Sequence, residues 1–450
     1  MTTTPPRTTE DTSGDLTYHK VARERRAFIS AVAATAAKLV NVATLLVSIP
    51  LVLNYLGPER YGLWLVMSSS IYILSFADLG IGNALIAFVA DAYGKDDRNE
   101  IRAAVSTAAL ILAALSTIIL LVFGIVGNLV PWSNWFNVLS EPAISEIGPG
   151  FAVLVGCLAL SIPLNLTSCL QSGLQQSFRA NLWAAFGSLL GLSTVLVAIH
   201  YGASLPWIAL ASAGSPLFAS LINGIVFFTN RGQDFAPNLK FVSLSLGKRL
   251  VTAGSAFLGV QIMVAVNVAS DNLIIGRMSG PEHVTAFAVP ERLFGLAPML
   301  IHLALQPLWP AYSEARVRGD PDWIRKTLRR SFLTALAVSV VSAVLLLIFG
   351  RRIIEIWTSG AVSPSLYLLA GLGLWKVVDS IEFAVTVLLS SARMLKPQLV
   401  FGFIAMSAAI SGKLLFIPLV GPDVVPWVSG VARLLFSLIP LYLFSRSITR

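Results

Sequence analysis

Twelve long apolar segments alternate with short polar connections along the chain, and none shows the two-residue alternation of a β-strand. A helix of about 20 apolar residues crosses the hydrocarbon core of a bilayer. Within lipid, only helices and closed barrels satisfy all the backbone hydrogen bonds. The pattern therefore predicts an all-α polytopic membrane protein with twelve transmembrane helices. The predicted helices are residues 27–56, 61–91, 101–128, 149–173, 181–200, 204–229, 250–277, 284–313, 328–350, 361–391, 397–418 and 424–446.

The composition agrees with a membrane protein. The chain has 450 residues, of which 56% are hydrophobic and 12% are charged, whereas a soluble domain has about 25% charged residues. The two cysteines, Cys157 and Cys169, lie within one apolar segment, and the four histidines are scattered without metal-binding spacing. The chain also contains no P-loop motif. We therefore expect no metal site and no bound cofactor.

The positive charges outside the apolar segments lie almost entirely on one side of the predicted helices. The two terminal segments and the even-numbered connections hold 23 Lys and Arg residues, and the odd-numbered connections hold only Arg60, Arg277, Arg351 and Arg352. Because cytoplasmic connections carry the excess of Lys and Arg, both termini are predicted to be cytoplasmic. This bias explains most of the net charge of +9, so no nucleic-acid partner is expected. The longest external connection, residues 129–148, is short for a catalytic domain, and we do not expect an enzyme.

The chain contains an internal repeat. Gly-Pro-Glu occurs at residues 57–59 and again at 280–282, and each copy joins the first two helices of a six-helix half. An Ile-Arg pair follows 44 residues after each of these glycines. Leu205-Pro206-Trp207 is matched by Val425-Pro426-Trp427 at an offset of 220 residues. Since six helices return the chain to the same side of the membrane, the halves are predicted to be parallel repeats.

The repeat divides the chain into four predicted parts: a disordered cytoplasmic tail (1–26), an N lobe with helices 1–6 (27–230), a cytoplasmic linker (231–249) and a C lobe with helices 7–12 (250–450). The tail is polar and rich in threonine, which is typical of disorder. Two equal lobes that face each other create a central cavity. This arrangement is typical of transporters that work by alternating access, in which one lobe rocks against the other.

Ten ionisable residues lie inside the predicted helices, where each would cost about 2.5–3.5 kcal/mol if it faced lipid at mid-helix. We therefore expect them to face the cavity or to pair with one another. The five cations are candidates for binding an anionic substrate, since both Arg and Lys bind phosphate: Lys38, Arg292, Lys376, Lys413 and Arg433. The five acids are candidates for ion coupling or for holding the cations in place: Asp78, Asp271, Glu291, Asp379 and Glu382. The alternative is that most of these charges form structural ion pairs or reach the membrane surface from helix ends.

Three motifs resemble a known family. Residues 55–64 read YLGPERYGLW, residues 77–83 read ADLGIGN, and residues 270–276 read SDNLIIG. These stretches are similar to the first three helices and to helix 7 of the polysaccharide-exporting flippases. That family belongs to the multidrug/oligosaccharidyl-lipid/polysaccharide (MOP) superfamily and is related to the multidrug and toxin extrusion transporters. The resemblance implies a V-shaped transporter with two lobes.

The resemblance also implies a function. The family moves undecaprenyl-pyrophosphate-linked oligosaccharide units from the cytoplasmic to the outer leaflet of the bacterial cytoplasmic membrane, for cell-surface polysaccharide assembly. It implies a coupling proton or Na⁺ but no cofactor. The implied partners are the lipid-linked glycan and membrane lipids, and a role beside other polysaccharide-assembly proteins stays open.

Two other functions are compatible with the sequence. One is a cation-coupled multidrug or metabolite antiporter of the same fold, in which Asp78 would be a coupling carboxylate. We interpret Asp78 first as a structural acid, because Gly80 and Gly82 beside it allow close helix packing. The other is a non-transporting scaffold for a glycan-assembly complex. The peptidoglycan-precursor flippases usually have fourteen helices, and the twelve predicted helices argue against that branch.

Overall fold

The computed structural model describes residues 9–127, 129–230, 233–392 and 394–446, and all regular elements in these ranges are helices. The N-terminal half contains eight α-helices: α1 (Thr9–Leu74), α2 (Ile81–Gly94), α3 (Arg98–Val126), α4 (Trp132–Trp135), α5 (Glu141–Leu164), α6 (Leu166–Gly173), α7 (Ser177–His200) and α8 (Leu205–Asn230). A 3₁₀ turn, Ser75–Asp78, separates α1 from α2. α1 is interrupted at Gly57, so it consists of two successive helices.

The C-terminal half contains nine α-helices: α9 (Leu244–Ser279), α10 (Pro281–Phe294), α11 (Leu296–Leu305), α12 (Leu308–Val317), α13 (Pro321–Trp357), α14 (Leu366–Ser391), α15 (Leu395–Val420), α16 (Val425–Arg433) and α17 (Ile439–Ser445). Predicted helix 8 therefore consists of the three short helices α10 to α12. A π-helix, Leu434–Leu438, joins α16 to α17.

Nine helical segments of the described chain are long and apolar enough to cross a membrane. The sequence predicts twelve crossings, and α1 explains part of the difference. α1 is counted as one crossing, although its two parts correspond to predicted helices 1 and 2. Predicted helix 2 then continues into α2. α9 and α14 have 36 and 26 residues and so exceed the length of about 20 residues that a bilayer requires. The all-α, multi-span architecture predicted from the sequence is confirmed.

The structure differs from the prediction at the N-terminal tail. α1 begins at Thr9, so residues 9–26 are helical rather than disordered. This segment contains no proline, and its Glu, Lys, Arg and Ala residues favour a helix that continues into the first apolar segment. Residues 1–8 of the tail, Arg231 of the linker and residues 447–450 of the C lobe lie outside the described residues. α9 begins at Leu244 inside the predicted linker, and the lobe boundaries otherwise stay predictions.

The two Gly-Pro-Glu corners have nearly the same backbone conformation. Gly57 has φ 78° and ψ 167°, and Gly280 has φ 94° and ψ 165°. Both glycines occupy a region that residues with a Cβ rarely adopt. The structure adds a third corner that the sequence analysis did not recognise, at Gly421-Pro422-Asp423, where Gly421 has φ 94° and ψ 174°. All three corners precede a new helix, because proline fits its first turn and cannot continue the previous helix.

The first two corners contact each other. A Cβ built on Gly62 would lie 1.7 Å from the carbonyl oxygen of Pro281, so only glycine allows this approach of α1 to α10. The Thr285 hydroxyl donates to the carbonyl oxygen of Pro58 at 2.6 Å. We call this end of the bundle the outer end, and it holds the three corners at residues 57–59, 280–282 and 421–423. Here the two halves share one apolar core.

Polar contacts reinforce the outer end. The Glu59 carboxylate accepts the backbone N–H groups of Leu139 at 2.8 Å and Ser140 at 3.1 Å. Partial burial alone would raise the pKa of Glu59, but these backbone donors outweigh it and hold that pKa below its ordinary value. Arg60 and Glu146 form a salt bridge at 2.6 Å. The connection before α5 is thereby tied to the first corner.

The opposite end, which we call the basic end, holds the connections rich in Lys and Arg. Here Arg102 pairs with Asp234 at 3.2 Å and so ties α3 to the segment before α9. Leu246 and Leu250 of α9 are buried here in one apolar cluster with residues of α2 and α3. The two halves therefore contact each other at the outer end and also toward the basic end.

Candidate functional site

Lys376 and Glu291 form a salt bridge within the C-terminal half. Both α10 and α14 begin at the outer end, at Pro281 and Leu366. Glu291 and Lys376 each lie ten residues after these starting points. At 1.5 Å per residue, both are about 15 Å from the outer end, which is the middle of a hydrocarbon core about 30 Å thick. The Lys376 ammonium also lies 4.0 Å from the centre of the Trp375 ring, a cation–π contact.

Lys413 and Asp271 form a second and more deeply buried salt bridge. Their side chains are 4% and 6% exposed. The pair joins α15 to α9. Without it, Lys413 and Asp271 would both be uncompensated charges in the membrane. Because removing water from charged groups is costly, removal of either partner would leave a buried charge without compensation.

Arg433 is shared by two acids of α14. Its Nη1 lies 2.7 Å from Asp379 Oδ1, and its Nε lies 2.8 Å from Glu382 Oε2. Ser437 donates to the other Glu382 oxygen at 2.8 Å. Arg433 ends α16, and the π-helix that follows brings Ser437 to the same carboxylate; such π segments are frequent at functional sites.

Lys38 and Arg292 have no ion-pair partner in the part of the chain that the structure describes, and both are exposed. Arg292 follows Glu291 on α10 and therefore lies at mid-membrane depth. Lys38 lies 19 residues before Gly57, about 28 Å from the outer end and so nearer the basic end.

Asp78 binds to its own turn. Its two carboxylate oxygens accept the backbone N–H groups of Gly80 at 2.9 Å and Gly82 at 3.3 Å. A Cβ on Gly80 would lie 2.3 Å from the carbonyl oxygen of Gly254, so this turn packs closely on α9. The contacts match the interpretation of Asp78 as a structural acid.

His302 is a polar residue of this region that the sequence analysis did not single out. Its ring stacks on Phe383 with centroids 3.8 Å apart, and its Nε2 is buried without a hydrogen-bond partner among the described residues. No pattern around His302 in the sequence could have identified it, because its neighbours on α11 are uncharged.

A cavity of about 180 Å³ lies inside the C-terminal half beside these ion pairs. Lys413, Glu382 and Arg433 contribute its charged lining, and Trp375 and Asn267 line it as well. The Ser429 hydroxyl, also in the lining, is buried without a hydrogen-bond partner among the described residues. Of the ten predicted residues, the structure thus gathers five at this cavity through two ion-paired groups, Lys413–Asp271 and Arg433–Asp379–Glu382. Glu291 and Lys376 pair next to it, and Asp78 lies in its own turn.

An all-helical, multi-span bundle of two halves, with ion-paired charges inside the second half, is the architecture of a membrane transporter. The chain belongs to the polysaccharide biosynthesis protein family, whose model matches residues 30–316. It is 25% identical over 317 residues to a Salmonella typhi protein that carries the name O-antigen transporter, with 70% of each chain covered. The family predicted from the motifs is confirmed.

Two solved structures show the same fold. An inward-facing multidrug resistance MATE family transporter of the MOP superfamily aligns with a TM-score of 0.74 and 15% identity, covering 93% of this chain and 98% of the other. The inward closed conformation of the lipid II flippase MurJ aligns with a TM-score of 0.72 and 12% identity, covering 93% of this chain and 87% of the other. At these identities the similarity concerns the fold alone.

Proposed function

We propose that this protein is a flippase that moves undecaprenyl-pyrophosphate-linked oligosaccharides from the cytoplasmic to the outer leaflet of the bacterial cytoplasmic membrane. The observation that carries the proposal is the charge that remains after pairing. Asp271, Glu291, Asp379 and Glu382 are all engaged by cations, whereas Arg292 and Lys38 are exposed without an ion pair among the described residues. These two cations suit a pyrophosphate.

Loading would take place from the basic end, which the charge bias predicts to be cytoplasmic. The pyrophosphate would first meet Lys38 and then Arg292 at mid-depth, while the sugars occupy the space between the halves and the polyprenyl chain stays in lipid. Rocking of the halves would then open the outer end. This change requires the contacts between the first and second corners to break.

Coupling to a proton or Na⁺ would act at Arg433. Two carboxylates, Asp379 and Glu382, share this one guanidinium, so the group carries a net negative charge that one further cation would neutralise. Binding of that cation would weaken the hold of Asp379 and Glu382 on Arg433 and free its guanidinium for the substrate. The protein would act in the inner membrane with both termini cytoplasmic, beside other polysaccharide-assembly proteins, as a transporter rather than an enzyme.

The test is leaflet exchange of a fluorescent polyprenyl-pyrophosphate glycan in liposomes that contain the purified protein, read with a membrane-impermeant quencher. We expect the wild type to exceed empty liposomes, and Arg292→Gln to lower the rate at least about tenfold, since a charged hydrogen bond contributes 1.5–3 kcal/mol. Arg318→Gln is the matched control, because Arg318 is 75% exposed in a surface pair with Glu314. Equal rates for all three proteins would contradict the assigned site.

The same liposomes distinguish the antiporter alternative. A flippase moves the labelled glycan and leaves ethidium where it is. Ion-driven ethidium uptake without glycan exchange would overturn the flippase proposal and favour the multidrug antiporter. Exchange of neither compound by a folded protein would favour a scaffold.

A further inference from the structure

A groove of about 560 Å³ lies between α13 and α17 at the basic end, and it shares no lining residue with the cavity described above. Its volume falls within the roughly 300–1,000 Å³ of ligand pockets. The lining consists of two chemically different zones. Arg325, Arg329 and Arg446 form the basic zone, and Phe332, Leu333 and Tyr442 form an apolar zone.

The two zones lie at different depths. Phe332 follows Arg325 by seven residues on α13, which places it about 10 Å deeper in the bilayer. Tyr442 likewise precedes Arg446 by four residues on α17, about 6 Å deeper. The groove is thus basic at the membrane surface and apolar toward the hydrocarbon core, which is the polarity of a phospholipid molecule.

The apolar zone is preformed. The Phe332 and Tyr442 rings lie 5.6 Å apart, and both pack against a buried cluster that includes Leu389 of α14 and Leu441 of α17. Arg446 lies over the Tyr442 ring at 5.2 Å, so its side chain is held at the mouth of the groove. A bound chain would therefore meet fixed ring surfaces rather than displace packed side chains.

The basic zone concentrates positive charge. Arg325 and Arg329 are four residues apart and so share one face of α13, where like charges repel each other. Arg325 lies 3.5 Å from Asp322, but these side chains are 60% and 89% exposed, so that pair is weak. Arg329 is exposed and has no ion pair among the described residues. An anion between Arg325, Arg329 and Arg446 would relieve the repulsion.

We infer that this groove is a binding site for an anionic phospholipid, with the phosphate and headgroup between the three arginines and an acyl chain along Phe332, Leu333 and Tyr442. Basic pockets between transmembrane helices on the cytoplasmic side bind anionic headgroups by the same physics. The site is separate from the charges assigned to transport and does not depend on the transported molecule. A lipid held there would brace α17 against α13.

The test uses the purified full-length protein in detergent and native mass spectrometry with phosphatidylglycerol and phosphatidylcholine of identical acyl chains. We expect the wild type to bind phosphatidylglycerol more tightly. The double variant Arg325→Gln/Arg329→Gln should lower the affinity for phosphatidylglycerol roughly 30-fold, because each basic residue near the membrane surface contributes about 1 kcal/mol. Its binding of phosphatidylcholine should not change. Arg351→Gln/Arg352→Gln is the matched control, because it removes the same charge from the other end of α13.

Three outcomes would overturn the inference. The first is that the wild type shows no preference between the two lipids. The second is that both double variants lose phosphatidylglycerol equally, and the third is that millimolar inorganic phosphate displaces this lipid fully. The last result would mean a simple anion site at the arginines without a role for the apolar zone. Retention of phosphatidylglycerol in the presence of phosphate supports a lipid site.

Discussion

The Thr285 hydroxyl donates to the carbonyl oxygen of Pro58 at 2.6 Å, although the two residues are 227 positions apart in the chain. This bond joins the first Gly-Pro-Glu corner to the second. The repeated corner therefore does more than form a local turn. Its two copies, one from each half, contact each other and hold the outer end closed. Any cycle that opens this end has to break the bond.

Replacement of Gly62 by alanine should weaken this closure. The new Cβ would lie 1.7 Å from the Pro281 carbonyl oxygen and 2.5 Å from its carbon, and backbone atoms cannot move aside as a flexible side chain can. We expect a loss of about 1–3 kcal/mol in the free energy of unfolding, as for other overpacked sites. Denaturant titration of the purified protein in detergent measures it.

The control for this substitution is Gly124→Ala on α3. A Cβ on Gly124 meets no atom within 4 Å, so alanine should leave stability unchanged or raise it slightly. Equal stability of Gly62→Ala and the wild type would show that the corners do not contact as described.

Loss of one partner of the Lys413–Asp271 pair should be far more damaging than loss of both. Lys413→Met leaves a carboxylate that is 6% exposed without its cation, and we expect a cost of about 3–5 kcal/mol. In the double variant Lys413→Met/Asp271→Asn no charge remains, so most of the stability should return. Denaturant titration of the three variants gives the coupling energy, and a double variant as unstable as Lys413→Met would refute the pairing.

Arg433 should not tolerate lysine. The guanidinium binds Asp379 and Glu382 through two different nitrogens at 2.7 Å and 2.8 Å, whereas an ammonium is a single point charge. We expect Arg433→Lys to lose about 1.5–3 kcal/mol of stability, the value of one charged hydrogen bond. Arg318→Lys, in an exposed pair, serves as the control and should be neutral. Similar melting curves for both variants would contradict the shared-arginine geometry.

The Glu59 contact should make the outer end sensitive to acid. Backbone N–H donors hold the pKa of Glu59 below its ordinary value of 4.5, so the carboxylate stabilises the fold fully above that pH. The stabilisation is lost as the pH falls through the lowered folded pKa. The difference in melting temperature between wild type and Glu59→Gln should therefore be constant near neutral pH and shrink below 4.5.

The second corner provides the control for this experiment. Glu282 occupies the same position in the repeat, is exposed, and has no hydrogen-bond partner among the described residues. Glu282→Gln should therefore match the wild type at every pH. A pH-dependent difference in that variant would mean that the effect arises from the net charge rather than from the N–H groups of Leu139 and Ser140.

Local patterns were enough to predict the helices, the repeat and the family. The apolar segments had to be helical because lipid offers the backbone no other hydrogen-bond partner. The corner at Gly280 was predictable from the one at Gly57, whereas the corner at Gly421 ends in Asp423 and was missed. The helical start at Thr9 was also missed, because polar composition alone does not exclude a helix that continues an apolar one.

The sequence by itself determined that ten charges lie in a membrane environment and must be compensated, because burial makes any uncompensated charge costly. Only the tertiary structure decided which charges compensate which. Lys413 meets Asp271 across 142 residues, and Lys376 meets Glu291 across 85 residues. Lys376 and Asp379 are three residues apart and share one flank of α14, but each pairs with a residue of another helix. Such pairings depend on how separate helices pack, and helix periodicity carries no information about the partner helix.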